Sequence, residues 1–254
     1  MATQKIAVIK VGTDVLTNVQ AFSVIARQIA QIKGMGIGVV LVSSGGVTAG
    51  AQRVDFLGGK SGDYHKRFRA SIGARHLLNL WGDAFALCQR DVAQCYVTYG
   101  NLRFSGERKS FRLALRHLAF DSFVVPLVNE NDIVSEVEIK KMQVGLGDND
   151  RLARVVACLV EASAIVFVTV KGGVYTANPE VDASAKLVPR IDAKRRFRIN
   201  GKHPGPSKNG TGGMQSKVNQ ASICARRGMR AGIIGPREIL QFLEGENVGT
   251  KVAV

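Results

Sequence analysis

The sequence predicts an α/β fold with a largely parallel sheet covered by helices on both faces. Two observations predict it. Residues 5–11 (KIAVIKV), 38–42 (GVVLV), 123–128 (FVVPLV) and 164–170 (AIVFVTV) are apolar, rich in β-branched residues and without helical period. Strands buried on both faces read this way. Between them lie longer segments with apolar residues at helical spacing, and alternation of the two kinds builds a parallel sheet.

The first strand, 5–11, ends at Gly12-Thr13-Asp14, where a glycine lets backbone approach a ligand. Lys10 is its odd residue. A lysine is rarely buried unless paired, so it is expected to point out at the strand's carboxyl end, or to reach solvent from an edge. Phe22, Ile25, Ile29 and Ile32 recur at helical spacing, and Gly34 and Gly36 stop that helix. The strand 38–42 breaks into Ser43-Ser44-Gly45-Gly46, followed by helix-compatible residues 47–51. Such a turn offers backbone N–H groups to an anion, and the helix dipole favours negative charge there. The pattern is neither GxGxxG nor a Walker A motif, so neither dinucleotide binding nor P-loop chemistry is indicated.

Residues 64–81 and 107–118 read as basic helices, the first carrying Lys66, Arg67, Arg69 and Arg75, with a short strand at 92–98 between them. Asn129-Glu130-Asn131-Asp132 then leaves the carboxyl end of the strand 123–128, the place where open α/β sheets bind ligands. Gly147-Asp148-Asn149-Asp150 precedes a helical stretch, 151–160, so Asp148 and Asn149 also suit ordinary helix caps. The strand 164–170 runs into Lys171-Gly172-Gly173 and a turn through Pro179. Residues 180–209 have little apolar periodicity and many charges, and a mobile excursion is expected there. Residues 210–217 (GTGGMQSK) form a second Gly-rich turn, opening a helix that runs to about Arg227 with Gly228 as its stop. A strand at 229–234 and a short helix at 237–243 follow.

Composition sets the outer bounds. A chain of 254 residues, 46% hydrophobic and 22% charged, can bury a sizeable core. It holds no run of ~18 apolar residues, so no membrane span is expected, and its first residues lack the layout of a signal peptide. Cys88, Cys95, Cys158 and Cys224 lack zinc-site spacing and read as reduced, mostly buried thiols of a cytoplasmic protein. The net charge of +15 raises nucleic acid as a partner. The densest basic cluster, 194–198, comes with no aromatic stacking pattern or groove-reading motif, so nucleic-acid binding is not expected.

Two lysines at element mouths, Lys10 and Lys217, two Gly-rich turns, and carboxylates at Asp132, Asp148 and Asp150 make one inventory. It suits phosphoryl transfer, where catalysis is mainly positioning and charge stabilisation. Mg²⁺ would ride on nucleotide phosphates, since it rarely gets an all-protein cage.

Six motifs, in order along nearly the whole chain, carry a resemblance: 10–13 (KVGT), 43–50 (SSGGVTAG), 129–132 (NEND), 147–150 (GDND), 175–179 (YTANP) and 210–217 (GTGGMQSK). Together they resemble the amino acid kinase family, and within it the branch that acts on glutamate. The resemblance implies a three-layer αβα sandwich and one kinase domain over residues 1–254. The PUA domain that many bacterial members add at the carboxyl end is not expected. It implies ATP-dependent phosphorylation of the side-chain carboxylate of L-glutamate to L-glutamyl 5-phosphate, the first step of proline biosynthesis. Homo-oligomers and feedback inhibition by proline are implied as well.

Carried onto this sequence, Lys10 and Lys217 stabilise the phosphoryl group and Asp150 organises them. Ser44, Asp132 and Asn149 bind glutamate. Lys10, Thr169, Val170, Thr211, Gly212, Gly213, Met214, Gln215, Ser216 and Lys217 line the nucleotide. Three positions depart from the branch. Val170 stands where Asp is usual, Ala74 where Gln is usual, and Phe111-Arg112-Leu113-Ala114 where Tyr-x-Asn-Ala is usual. Valine at 170 is expected to pack well but to lose an acceptor, with Lys171 drawing the ATP phosphates by charge. Two other readings stay open: a kinase of the same fold for aspartate or N-acetylglutamate, and a non-catalytic relative that binds a ligand or nucleic acid.

Overall fold

Strands β1 (Ile6–Val11), β2 (Gly38–Ser43) and β5 (Ala164–Val168) are buried along their whole length. Their backbone groups, out of reach of water, must pair with strands on both sides. β3 (Asp91–Val97), β4 (Val124–Glu130), β6 (Arg190–Asp192), β7 (Arg230–Ile234) and β8 (Thr250–Ala253) complete the set. A computed structural model, describing residues 4–134, 149–199 and 213–254, joins them into an eight-stranded sheet. Its order is β3-β4-β2-β1-β5-β7-β8-β6, and only the β7–β8 pair is antiparallel. The register sets Val11 beside Ser43 and Val168, and Val42 beside Val128. The carboxyl ends of β1, β2, β4 and β5 therefore lie along one edge, as expected.

Alternation along the strands divides the core into two layers. Ile9, Val11, Val39, Leu41, Val166 and Val168 face α2 (Gln20–Gly34), α4 (Lys66–Ala86) and α8 (Ile239–Glu244). Trp81, Phe22 and Phe85 form the aromatic centre of this layer, with Phe22 and Phe85 each against the Trp81 ring. Ile6, Val8, Val40, Val42, Ile165 and Phe167 face α5 (Ser105–Phe120), α6 (Asn149–Leu159) and α7 (Met214–Ala225). Lys10 shares the parity of Ile6 and Val8, so its strand directs it to the α6 side. A short helix, α1 (Thr13–Leu16), follows β1, and α3 (Gly46–Phe56) follows β2. The expected α/β sheet with helices on both faces is present.

Two expectations need correction. Of the excursion expected over 180–209, residues 180–199 are not free: Tyr175 and Leu187 form an antiparallel bridge, and β6 adds an edge to β8 with Ile191 1% exposed, while 200–209 lie outside the described residues. A three-residue strand with one inward side chain shows no readable alternation. β8 is unreadable for the same reason, with only Thr250 and Val252 buried. Of the four cysteines, all free, only Cys224 is buried; Cys88, Cys95 and Cys158 are half-buried. Among the described residues, no helix is long and apolar enough to cross a membrane.

The turn after β2 is held by glycine at two levels. Gly45 has φ +105°, which favours a residue without Cβ. Behind it, α3 and α4 touch backbone to backbone: a Cβ on Gly50 would lie 1.7 Å from Arg69 O, and one on Gly73 1.9 Å from Gly46 O. Glycine to alanine in a helix ordinarily gains ~1 kcal/mol. Gly50→Ala and Gly73→Ala are expected to lose about 1–3 kcal/mol instead, because the helices must separate. Gly82→Ala in α4, with open space around it, is the control and should raise the melting temperature. A melting temperature at or above the parent's for Gly50→Ala would contradict the close approach.

Candidate active site

The sheet edge brings three charged side chains from distant parts of the chain into one dry spot. Lys10 comes from the end of β1, Asp150 from the first turn of α6 and Lys217 from the first turn of α7. Lys10 Nζ lies 2.6 Å from Asp150 Oδ1, and Lys217 Nζ lies 3.1 Å from Asp150 Oδ2. The three residues are 4%, 0% and 9% exposed. Lys10 therefore does not reach solvent; it is the paired, buried exception. Burial pushes the Asp150 carboxyl up, but the charges and hydrogen bonds of Lys10 and Lys217 outweigh it and hold the group below the usual carboxylate range.

Ser44 and Asn149 sit beside this centre. Asn149 Nδ2 donates to Ser44 Oγ at 3.1 Å, so the turn after β2 is tied to the residue preceding Asp150. The Ser44 N–H is spent on Val11 O at 3.1 Å, so donors the turn can offer an anion lie beyond it, at Gly45 and Gly46. A supporting network has little signal in the sequence. Asn129 Nδ2 donates to Ser43 O at 2.7 Å, and the Trp81 indole donates to Ser43 Oγ at 3.1 Å. Asn129 and Ser43 lie in motifs that the sequence marks, but the part of Trp81 has no sign beyond its being the lone tryptophan, on a helix. Arg151, next to Asp150, lies 5.1 Å from the centroid of the Tyr99 ring, a pairing without any sequence signal.

The remaining predicted residues fall into three groups. Asp132, half-buried just past β4, feels Lys66, and its charge in turn bears on Tyr96. Burial pushes its carboxyl up, with Lys66 opposing. At the other end of the edge, Thr169 donates its N–H to Ile234 O at 2.8 Å and its hydroxyl to the same oxygen at 3.5 Å. Val170 does not pack as expected; it is 57% exposed, since the strand ends at Val168. Lys171 pairs with Glu180 at 2.5 Å rather than standing ready for phosphates. Gly213 precedes α7, and Ser216 N–H donates to Gly213 O at 3.0 Å. Met214 packs on the α7 core layer. Gln215 is a tether: it donates to Phe197 O at 3.0 Å and accepts from Ile199 N–H at 3.3 Å. Asp148, Thr211 and Gly212 lie outside the described residues.

Two buried ammonium groups stand together on one carboxylate. That arrangement attracts a polyanion and stabilises negative charge that grows on it. It also makes Asp150 essential to the fold. Asp150→Asn, which removes the charge that both buried ammonium groups share, is expected to cost about 3–5 kcal/mol at neutral pH. The folded carboxyl titrates below 3.8, so the stabilisation from its charge is complete above that value and fades as pH falls through the lower folded value. Denaturant melts of parent and variant from pH 8 to pH 3 check this. The gap between them should hold constant down to about pH 5 and narrow below pH 4.

Comparison with known proteins places the chain in a family. The profile of the amino acid kinase family matches residues 5–235. A glutamate 5-kinase of Stutzerimonas stutzeri (strain A1501) is 35% identical over 257 residues, covering 97% of this chain and 67% of that protein. One from Herpetosiphon aurantiacus is 33% identical, covering 96% and 67%. The chain thus spans about two thirds of the length of these relatives. Among solved structures, a carbamate kinase from Giardia lamblia bound to AMP-PNP has a TM-score of 0.65 at 16% identity, over 100% of this chain and 99% of that one. A uridylate kinase from Archaeoglobus fulgidus has a TM-score of 0.61 at 16% identity, over 98% and 100%. Both share the fold. With the family profile matched over most of its length and curated relatives matched over nearly all of it, the chain belongs to the amino acid kinase family.

Proposed function

We propose that the chain transfers the γ-phosphoryl group of ATP to the side-chain carboxylate of L-glutamate, giving L-glutamyl 5-phosphate for proline biosynthesis. The observation that carries the reading is the buried Lys10–Asp150–Lys217 centre. The identity to glutamate 5-kinases supports glutamate as the acceptor over aspartate or N-acetylglutamate.

In the proposed step a carboxylate oxygen of glutamate attacks the γ-phosphorus, and the bond to the bridging oxygen of the leaving ADP breaks. The acceptor is already ionised, so no general base is needed. Lys10 and Lys217 stabilise the charge on the migrating group and on the leaving oxygen. Asp150 holds both ammonium groups in place beforehand, so the centre needs no reorganisation when charge develops. Asp132 receives the substrate ammonium, and Ser44 and Asn149 receive its carboxylate. ATP lies over Thr169, Val170 and the turn from Thr211 to Lys217. Met214 and Gln215 are engaged within the protein, so they serve ATP through their backbone, while Lys217 serves through its ammonium group. Asp150 has both oxygens engaged by lysines, so Mg²⁺ would be held by the nucleotide phosphates, where it would neutralise phosphate charge. We place the reaction in the cytoplasm, in keeping with four free cysteines. Self-association and proline feedback belong to the same proposal and rest on the family resemblance.

ATP turnover measured with glutamate, aspartate and N-acetylglutamate in parallel tests the proposal. Glutamate should give the highest kcat/KM, and turnover with none of the three would overturn it. Lys10→Ala and Lys217→Ala are each expected to lower kcat by ~10²–10³, the scale of removing one preorganised stabilising group. The double variant should lose much less than the product of the two, because the groups act as a unit. A single variant within a few-fold of the parent kcat would remove that lysine from the mechanism. Asp132→Asn should raise the KM for glutamate strongly and leave ATP binding alone, since an ion pair to the substrate ammonium is lost. Steady-state kinetics with each substrate varied in turn separates the two effects.

A further inference from the structure

The thiols of Cys158 and Cys224 have no part in the chemistry above, yet they close the stripe along which α6 meets α7. At the start of that stripe Asp150 meets Lys217. One turn on, Arg154 Nε donates to Gln220 Oε1 at 2.6 Å. One turn further, four residues on from Arg154 in α6 and from Gln220 in α7, Cys158 comes level with Cys224. Asp150, Arg154 and Cys158 stand at four-residue steps, which puts them on one helical face. Arg227, just past α7, donates from Nη1 to Cys158 Sγ at 2.7 Å. Cys158 is half-buried and Cys224 is buried.

We propose that Cys158 is a peroxide-reactive thiol and Cys224 its resolving partner, so that oxidation joins α6 to α7 by a disulfide. The oxidant is hydrogen peroxide. The Cys158 thiolate attacks one peroxide oxygen, the O–O bond breaks, and the departing hydroxide takes up a proton as water. This leaves a sulfenic acid on Cys158. The Cys224 sulfur then attacks the Cys158 sulfur, the S–S bond forms, the S–O bond breaks, and a second water departs with the thiol proton. Two thiols have lost two electrons and two protons, and the peroxide has gained them.

Access and charge assign the roles: Cys158 is half-buried with the Arg227 guanidinium on its sulfur, and Cys224 is buried. The hydrogen bond from Cys224 lowers the Cys158 thiol most, burial opposes it, and Arg227 and Arg154 lower it further, to about 6. The same bond and burial push Cys224 up, keeping its proton. Cys95, by contrast, is pushed up to about 11 by burial alone. A lowered thiol is ionised in larger part at neutral pH, and the thiolate is the form that attacks peroxide.

Iodoacetamide labelling of the full chain from pH 5 to pH 9, with each cysteine followed by peptide mass spectrometry, reads this directly. Cys158 should label at half its maximal rate near pH 6, and Cys95 should stay slow throughout. Arg227→Gln should move the Cys158 midpoint to higher pH. After peroxide, the parent should lose two of its four thiols and yield a Cys158–Cys224 linked peptide that dithiothreitol splits. Cys224→Ala should stop at a sulfenic acid that dimedone traps on Cys158. A Cys158 midpoint at pH 8 or above, or a peroxide-treated parent without that linkage, would overturn the proposal. Labelling and linkage are both read on the parent, so poor folding of a variant cannot mask either result.

Discussion

Everything at the sheet's carboxyl edge turns on one carboxylate placed between two ammonium groups, all three of them buried. Desolvating either lysine alone would cost several kcal/mol, and desolvating Asp150 alone would cost as much. Only their meeting makes the burial tolerable, and the meeting requires three elements in fixed relation. β1 must present the Ile6, Val8 and Lys10 face to α6, and α6 and α7 must lie side by side with their first turns level. The core layer under α6 and α7 is the means of that alignment. Small residues such as Ala153, Ala157 and Ala221 let the helices sit close to the sheet.

The opposite layer serves the other half of the site. Trp81 reaches through its indole to Ser43, Asn129 holds the Ser43 carbonyl, and Asn149 holds Ser44. The turn after β2 is thus fixed from three directions before any ligand arrives, on top of the backbone contact between α3 and α4. Groups that bind charge without reorganising are those that favour a transition state most.

Much of this is legible in the sequence. The buried strands announce themselves as apolar runs, and their carboxyl-end polar clusters announce the edge. Lys10 stands out as a charge in an apolar strand, and Asp150 and Lys217 each stand just inside a helix after a Gly-rich or acidic turn. What cannot be read is pairing. Nothing local says that Lys10 is buried against Asp150, or that Gln215 binds backbone at Phe197 and Ile199 instead of facing a nucleotide. Those depend on residues far away in the chain. β6 and β8 are hidden because three or four residues carry too little alternation. Val170 is misleading because the strand ends two residues earlier than its apolar run.

The parity of β1 also bears on how the chain folds. A one-residue slip of this strand would turn Lys10 toward Trp81 and its neighbours and bring Ile9 to face Asp150. Local sequence cannot forbid that slip, since nearly every β1 residue is apolar. The residue that can forbid it, Asp150, lies more than half the chain away, and Lys217 comes later still. The first strand is therefore proofread by helices made long after it. Its register becomes fixed only after long-range closure, which places the site's assembly among the slow steps of folding.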